Sequence, residues 1–134
     1  MKKTLFREAV RIARDKLTSH PQLGHFMHYS FIVQNNKIIE WGFNIAHEPP
    51  KHYGYHERLK DAINKPKMHS EIACYQKAKG LLNKNKKFEI INIRLDRNGE
   101  LLNSAPCSCC HNLLTELGCH KFFFSSQIGF LEST

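Results

Sequence analysis

The most constraining feature of this sequence is a pair of short motifs, H-S-E at positions 69–71 and P-C-S-C-C at positions 106–110. Cys107 and Cys110 are three positions apart, so on a helix their thiols lie on one face and can bind one metal ion. Together with His69 they make three ligands, and a tetrahedral zinc ion then keeps one open position for water. A structural zinc site would be closed by a fourth protein ligand. The two motifs therefore predict one catalytic zinc ion per chain.

Glu71 adds a carboxylate beside that open position, where it can take up and release protons. Residues two apart do not share a helix face, so His69 and Glu71 can reach one ion only if His69 stands at a helix start. Two thiolates and a neutral histidine cancel the charge of Zn²⁺, so the ion acidifies its water less strongly than with three histidines. A helix N-terminus near Cys107 would compensate by stabilising the thiolates.

The same residues allow a structural zinc knot completed by Cys109 or His111. We disfavour this alternative because neighbouring residues on a helix point apart and because it leaves Glu71 without a role. Cys109, Cys74 and Cys119 are expected to be buried or partly buried residues that bind no metal.

Hydrophobic periodicity predicts alternating helices and strands around these motifs. The predicted helices are 4–17, 70–82 and 107–117, and the predicted strands are 26–34, 37–43, 88–95, 101–102, 120–125 and 128–131. Asn35-Asn36 predicts a tight hairpin between the first two strands, because asparagine tolerates positive φ. On the second helix, we expect an inner face that includes Cys74, Ala78 and Leu81.

The stretch 45–68 shows no periodicity and is expected to be a functional loop, as long connections often are. It contains His47, His52 and His56, which together suggest a second metal site. An ordinary polar loop is the preferred interpretation, because no cysteine joins the cluster.

The composition limits the class of protein. A chain of 134 residues is expected to form one domain, and a formal net charge of +8 favours an anionic partner. An odd count of five cysteines, with no apolar segment at the N-terminus, argues against a secreted disulfide scaffold. No run of 18 apolar residues is present, so we expect a cytoplasmic protein without membrane contact. Two basic groups stand out, and each is either a solvated surface or a phosphate contact: Arg7, Arg11 and Arg14, and Lys84, Lys86 and Lys87.

The order of elements and motifs resembles the cytidine and deoxycytidylate deaminase-like superfamily, in which H-x-E is followed by P-C-x-x-C. The resemblance spans about residues 5 to 132. It implies a single-domain α/β fold with a five-stranded mixed sheet flanked by helices and a C-terminal β-hairpin. Ser70 departs from the alanine that family members usually carry, and the loop at 45–68 is longer than in compact tRNA adenosine deaminases.

The resemblance also implies roles for individual residues. His69, Cys107 and Cys110 match the zinc ligands and Glu71 matches the proton shuttle. Asn44 matches the asparagine that contacts the nucleoside sugar, against the alternative of a simple turn former. The Ala105 carbonyl matches the acceptor for the exocyclic amine of the base.

The sequence thus predicts a zinc-dependent hydrolytic deaminase that converts cytosine to uracil, with single-stranded nucleic acid as the preferred substrate. Cytosine is favoured over adenine, and a homo-oligomer is possible because relatives commonly assemble. One alternative is a deaminase of free (deoxy)cytidine or (deoxy)cytidylate. An alternative of another class is a catalytically silent, zinc-stabilised module that binds nucleic acid.

Overall fold

The computed structural model describes residues 2–19, 27–43, 70–105 and 108–133. Within these ranges lie three helices and six strands. In chain order they are α1 (Lys2–Ser19), β1 (Met27–Gln34), β2 (Lys37–Phe43), α2 (Ser70–Ala78), β3 (Phe88–Leu95), β4 (Leu101–Leu102), α3 (Ser108–Glu116), β5 (Cys119–Ser126) and β6 (Gly129–Ser133). None of these helices is long and apolar enough to cross a membrane.

The strands form one mixed sheet in the order β2-β1-β3-β5-β6, and the short β4 pairs with β3 beside this path. β1 is antiparallel to β2 and β3, whereas β3 and β5 are parallel. The chain between β3 and β5 includes α3, as expected because parallel neighbours need a crossover connection. β6 returns antiparallel to β5. The predicted α/β fold with a five-strand path and a C-terminal hairpin is therefore confirmed, with β4 as a sixth, two-residue strand.

The first hairpin shows how local sequence sets this topology. Asn35 and Asn36 have φ angles of 55° and 61°, the left-handed values that a two-residue turn between twisted strands requires. The predicted turn is confirmed at both positions.

The two faces of the sheet are covered by different helices. Side chains alternate along β3, so Ile91, Ile93 and Leu95 belong to a core cluster with the buried residues of α1. Phe88 and Ile90 point to the other face and belong to a second cluster with residues of α2 and α3. The motif-bearing helices therefore lie on one face of the sheet and α1 lies on the opposite face.

The second helix is shorter than predicted. It ends at Ala78 and not at 82, and Leu81 is 64% exposed, so its predicted place on the inner face was wrong. The amide of Leu81 donates to the Ala78 carbonyl in a turn, and Gly80 beside it disfavours continuation of the helix. Cys74 and Ala78 are fully buried as predicted. The loop at 45–68, with His47, His52 and His56, lies outside the described residues.

Candidate active site

Glu71 lies in the first turn of α2, and its side chain is only 5% exposed. Asn92 Nδ2 donates to Glu71 Oε2 at 3.3 Å, and Ser70 Oγ donates to Glu71 Oε1 at 3.2 Å. Both carboxylate oxygens are therefore held by named donors. The positive end of the helix dipole also favours a negative charge at this position.

Beneath Glu71, the sheet carries a short polar row on its two adjacent strands β1 and β3. In one row under the helices, Ile32 pairs with Ile90 and Ile90 with Phe122, and all three belong to the apolar core. The neighbouring row on the same face contains Ser30 paired with Asn92. Ser30 Oγ donates to Asn92 Oδ1 at 2.7 Å, and it also lies 2.7 Å from Ser70 Oγ. The sheet surface therefore changes from apolar to polar in the row that supports the start of α2.

A glycine in that row brings α2 close to the sheet. Gly42 of β2 pairs with Ser30. A Cβ atom placed on Gly42 would lie 2.7 Å from the backbone N of Cys74 and 2.8 Å from its Cα. Only a residue without a side chain permits this approach. Gly42 therefore sets how deeply Glu71 sits above the polar row.

The segment that follows β4 joins the same network. Asn92 Nδ2 also lies 3.4 Å from the Ser104 carbonyl, and Ser104 Oγ donates to the Asn92 carbonyl at 2.8 Å. Ser104 Oγ further contacts Ser125 Oγ at 2.8 Å. Ala105, whose carbonyl was predicted to accept from the substrate amine, comes next in the chain and is exposed. The segment that carries Ala105 is thus held to the same asparagine that contacts Glu71.

Cys110 lies in the first turn of α3 and is fully buried. It belongs to the same core cluster as Ile72, the residue after Glu71, so this cluster joins the first turns of α2 and α3. Cys74 and Cys119 are buried as predicted, and burial raises the pKa of both thiols, that of Cys119 to about 12. These two cysteines are therefore neutral thiols at physiological pH.

The remaining predicted site residues, His69, Cys107 and Asn44, lie outside the described residues, as does the side chain of Cys109. The described residues alone contain no group of three His, Cys, Asp or Glu side chains that could hold a metal. The structure thus gives the surroundings of Glu71, Ala105 and Cys110 and leaves the complete ligand set as a prediction.

Sequence reasoning missed Ser30, Asn92 and Ser104, all of which are buried. One signal was present in β3. Its sequence, FEIINIRL, is apolar at Phe88 and Ile90 and then polar at Asn92 on the same face. A polar residue that interrupts the alternation of a buried strand marks a site whose hydrogen bonds must be satisfied.

A second feature on this side of the sheet is a basic cavity of about 810 Å³ at the C-terminal ends of α2 and α3. Its lining includes Lys79 and the lysine turn, which we define as residues 82–87 with Lys84, Lys86 and Lys87. The ring of Tyr75, stacked on Phe88 at 5.8 Å, also contributes. No acidic side chain is among the lining residues that the structure describes.

The lysine turn is held by a buried glutamine. Gln34 Nε2 donates to the carbonyls of Asn83 and Lys86 at 3.0 and 3.2 Å, and Gln34 Oε1 accepts from the Asn83 amide at 2.8 Å. The backbone that carries the lysines is therefore fixed before any ligand binds.

The arginines of α1 are placed differently. Arg11 pairs with Asp15 at 3.5 Å, and Arg14 Nε donates to the Gly99 carbonyl at 3.0 Å. Because α1 covers the face of the sheet opposite α2 and α3, this stripe is separated from Glu71 by the sheet. Arg11 and Arg14 therefore make local contacts on the face opposite α2 and α3.

Comparisons with known proteins show the fold. No protein-family model and no curated protein sequence matches this chain. Among solved structures, a cytidine deaminase from Mycobacterium leprae is similar with a TM-score of 0.53 and 16% identity, covering 95% of this chain and 88% of that one. A mutant cytidine deaminase from Mycobacterium tuberculosis has a TM-score of 0.47 and 15% identity, covering 81% of this chain and 74% of that one. The chain therefore has a cytidine deaminase-like fold, as the resemblance in sequence predicted.

Proposed function

We propose that this chain is a single-domain, zinc-dependent deaminase that converts cytosine to uracil. The observation that carries the proposal is the buried Glu71 carboxylate, held by hydrogen bonds at the start of α2 in a cytidine deaminase-like fold. A carboxylate in the core is costly to bury even when it is hydrogen-bonded, so its presence here points to a functional purpose. Proton transfer in a hydrolytic deamination is such a purpose.

The donors fit zinc. His69, Cys107 and Cys110 would supply one imidazole and two thiolates, which are preferred zinc ligands, and the buried Cys110 thiol lies at a helix start, where a thiolate is favoured. When bound, zinc lowers the pKa of a coordinated water and so supplies a nucleophile near neutral pH. Glu71 is not counted among the ligands, because its role requires an oxygen that can accept a proton.

The reaction is a hydrolysis in which Glu71 transfers protons while Ala105 and Asn44 bind the substrate. The oxygen of water adds to the amine-bearing ring carbon, the carbon–nitrogen bond breaks, and ammonia leaves while a carbonyl forms. Glu71 accepts one proton of the attacking water and passes it to the ring nitrogen, and then accepts the remaining hydroxyl proton and passes it to the leaving amine. The Ala105 carbonyl accepts from the amine of the substrate, and Asn44 contacts the sugar. Burial of Glu71 keeps bulk water from competing in these transfers.

For the substrate we favour cytosine in single-stranded nucleic acid. The lysine turn and Lys79 form a cation-lined cavity on the same side of the sheet as Glu71, and the Tyr75 ring could stack a base. Because the cavity lies at the opposite ends of the helices from Glu71, it would contact phosphates remote from the reacting base and not those beside it. The arginine stripe gives no support, because it lies on the other face of the sheet.

A free nucleoside or nucleotide is the second candidate. The solved structures that share the fold are named as cytidine deaminases, and they suggest a small substrate. A substrate comparison decides between the two. Purified zinc-loaded protein would be incubated with deoxycytidine, its monophosphate and a cytosine-containing single-stranded oligonucleotide, and uracil and ammonia would be measured together.

The preferred function predicts a higher kcat/KM for the oligonucleotide than for either small substrate. Faster turnover of deoxycytidine or its monophosphate would establish the free substrate instead. If a zinc-loaded protein binds the oligonucleotide and releases no ammonia from any of the three, the chain is a silent binding module.

A further inference from the structure

Two buried polar residues, Ser30 on β1 and Asn92 on β3, form a polar row on an otherwise apolar face of the sheet. In the adjacent row, Ile32, Ile90 and Phe122 fill the space between the sheet and the helices with apolar side chains. Continuing that pattern at Ser30 and Asn92 would give a wholly apolar surface. An apolar side chain of the same shape is often neutral or stabilising in place of buried polar groups. The polar row therefore points to a hydrogen-bonding partner in the helix that lies above it.

What lies above the row is Glu71. Asn92 is 3% exposed, and its Nδ2 group lies within 3.3 Å of Glu71 Oε2 and 3.4 Å of the Ser104 carbonyl. Its Oδ1 atom accepts from Ser30 Oγ, which fixes the amide with its donor side toward the carboxylate. A single side chain thus contacts the proton shuttle on α2 and the segment that leads to Ala105.

Ser70 completes the connection. Ser30 Oγ and Ser70 Oγ are 2.7 Å apart, and Ser70 Oγ also reaches Glu71 Oε1 at 3.2 Å. The result is a closed circuit of side chains in which Ser30 is bound to Asn92 and to Ser70, and both of these are bound to Glu71. The two serine hydroxyls carry two protons for three contacts, so all three contacts are hydrogen bonds when a protonated Glu71 donates to Ser70, and one of them has no proton when Glu71 is ionised.

We propose that Asn92, with Ser30 and Ser70, positions the Glu71 carboxylate relative to the Ser104–Ala105 segment. We call these three positioning residues because all are buried and their contacts lead to Glu71 and to Ser104. The inference rests on the proposed role of Glu71. It adds to that role the residues that keep Glu71, which transfers protons, at a constant distance from Ala105, which binds the amine. A small misplacement of a reacting group lowers the rate by about 100-fold, which sets the scale of the expected effect.

The test is Asn92→Leu, which keeps the size of the side chain and continues the apolar row. We expect kcat for deoxycytidine, which carries no phosphate for the lysine turn, to fall about 10- to 100-fold, with KM changed less than about twofold. Zinc content should remain at one ion per chain. A crystal structure of the variant should show the Glu71 carboxylate in more than one rotamer, which is a readout independent of turnover.

Gln34→Met is the matched control. Gln34 is also a buried amide on β1, with three hydrogen bonds to a loop, but its partners are in the lysine turn. This variant should lower the melting temperature while leaving kcat on deoxycytidine near the wild-type value. If Asn92→Leu does not fold, Ser30→Ala tests the same circuit with a smaller change, and we expect kcat to fall with KM unchanged.

The outcomes separate the two proposals. Wild-type protein that releases no ammonia overturns both the proposed function and the positioning role. Active wild-type protein, together with Asn92→Leu or Ser30→Ala variants of unchanged kcat, overturns the positioning role alone. A loss of melting temperature with kcat preserved would assign Asn92 to stability.

Discussion

At the level of single residues, the three cysteines with described side chains fall into two groups by their place in the fold. Burial keeps the Cys74 and Cys119 thiols neutral by raising their pKa, whereas Cys110, also buried, lies at a helix start in the predicted ligand set. A thiol that binds zinc must be deprotonated, and Cys110 differs from the other two in its place at a helix start, where a thiolate is favoured.

Cys110→Ser and Cys119→Ser make a matched pair, since each places a hydroxyl at a buried position. We expect Cys110→Ser to lose zinc and several degrees of melting temperature, because metal binding contributes to folding. Cys119→Ser should keep one zinc ion per chain. Metal analysis and thermal unfolding measure both quantities, and the reverse pattern would show that the wrong cysteine was assigned.

Tyr29 gives a pH-dependent prediction. Its side chain is 1% exposed, and burial raises its pKa from 10.0 to about 12. Above pH 10 the unfolded chain releases this proton while the folded chain keeps it. Its contribution to stability is therefore complete below pH 10 and is lost as the pH rises toward 12, by at most about 1.4 kcal/mol per pH unit.

Tyr29→Phe removes this titration. Its hydroxyl has no hydrogen-bond partner within the described part of the chain, so the free energy of unfolding at pH 8 should change little. Between pH 8 and pH 11, the variant should lose less of that free energy than the wild type. Urea unfolding at the two pH values measures the difference, and equal losses in both proteins would refute the assignment.

At the level of elements, the distance between α2 and the sheet depends on Gly42. Gly42→Ala would place a methyl group 2.7 Å from the Cys74 backbone, so the helix must move. Overpacking of this kind typically costs about 1–3 kcal/mol of stability. Because α2 carries Glu71, kcat should also fall.

Gly80→Ala is the control for this change, since a Cβ atom there meets nothing within 4 Å. The substitution should be neutral or stabilise by about 0.4–1 kcal/mol, with unchanged kcat. Denaturant unfolding and steady-state kinetics on both variants make the comparison. Wild-type stability and activity in Gly42→Ala would show that the approach of α2 is not set at this residue.

Local patterns in the sequence predicted the helices, strands and turns well, because these elements depend mainly on neighbouring residues. The alternation in β3 gave its observed bounds, and Asn35-Asn36 gave the hairpin turn. The end of α2 was missed because the apolar spacing continued through Leu81 beyond the point where helical hydrogen bonding stops. The contact between Asn92 and Glu71 could not be predicted, since it depends on strand register and on the depth of α2, both set by distant residues.

At the level of the whole molecule, the formal net charge is +8, and two basic groups of the described residues lie on different faces of the sheet. The arginines of α1 lie on one side of the sheet, and the lysine turn lies on the other, with α2 and α3. Net charge predicted an anionic partner but not which basic group shares a face of the sheet with Glu71, because that depends on which face each helix covers.

Replacing Lys84, Lys86 and Lys87 with glutamine tests this distribution. Oligonucleotide affinity should weaken, and the slope of log affinity against log salt should become shallower by about 2, since each lost phosphate contact on a single strand contributes about 0.7. Turnover of deoxycytidine should not change. The same substitutions at Lys3, Lys37 and Lys121 remove equal charge elsewhere, and an equal change of slope in both triple variants would mean that binding follows net charge alone.

The central claim is that Glu71 moves protons in a zinc-dependent deamination. The most direct measurement is uracil and ammonia formation by zinc-loaded wild type and Glu71→Gln on the preferred cytosine substrate, with zinc content measured on the same samples. Glutamine keeps the shape of the side chain but cannot exchange the proton. The wild type should form uracil and ammonia in equal amounts, and Glu71→Gln should retain one zinc ion per chain while losing about 100-fold or more in kcat. Undiminished turnover in Glu71→Gln, or loss of zinc together with Glu71, would contradict this assignment.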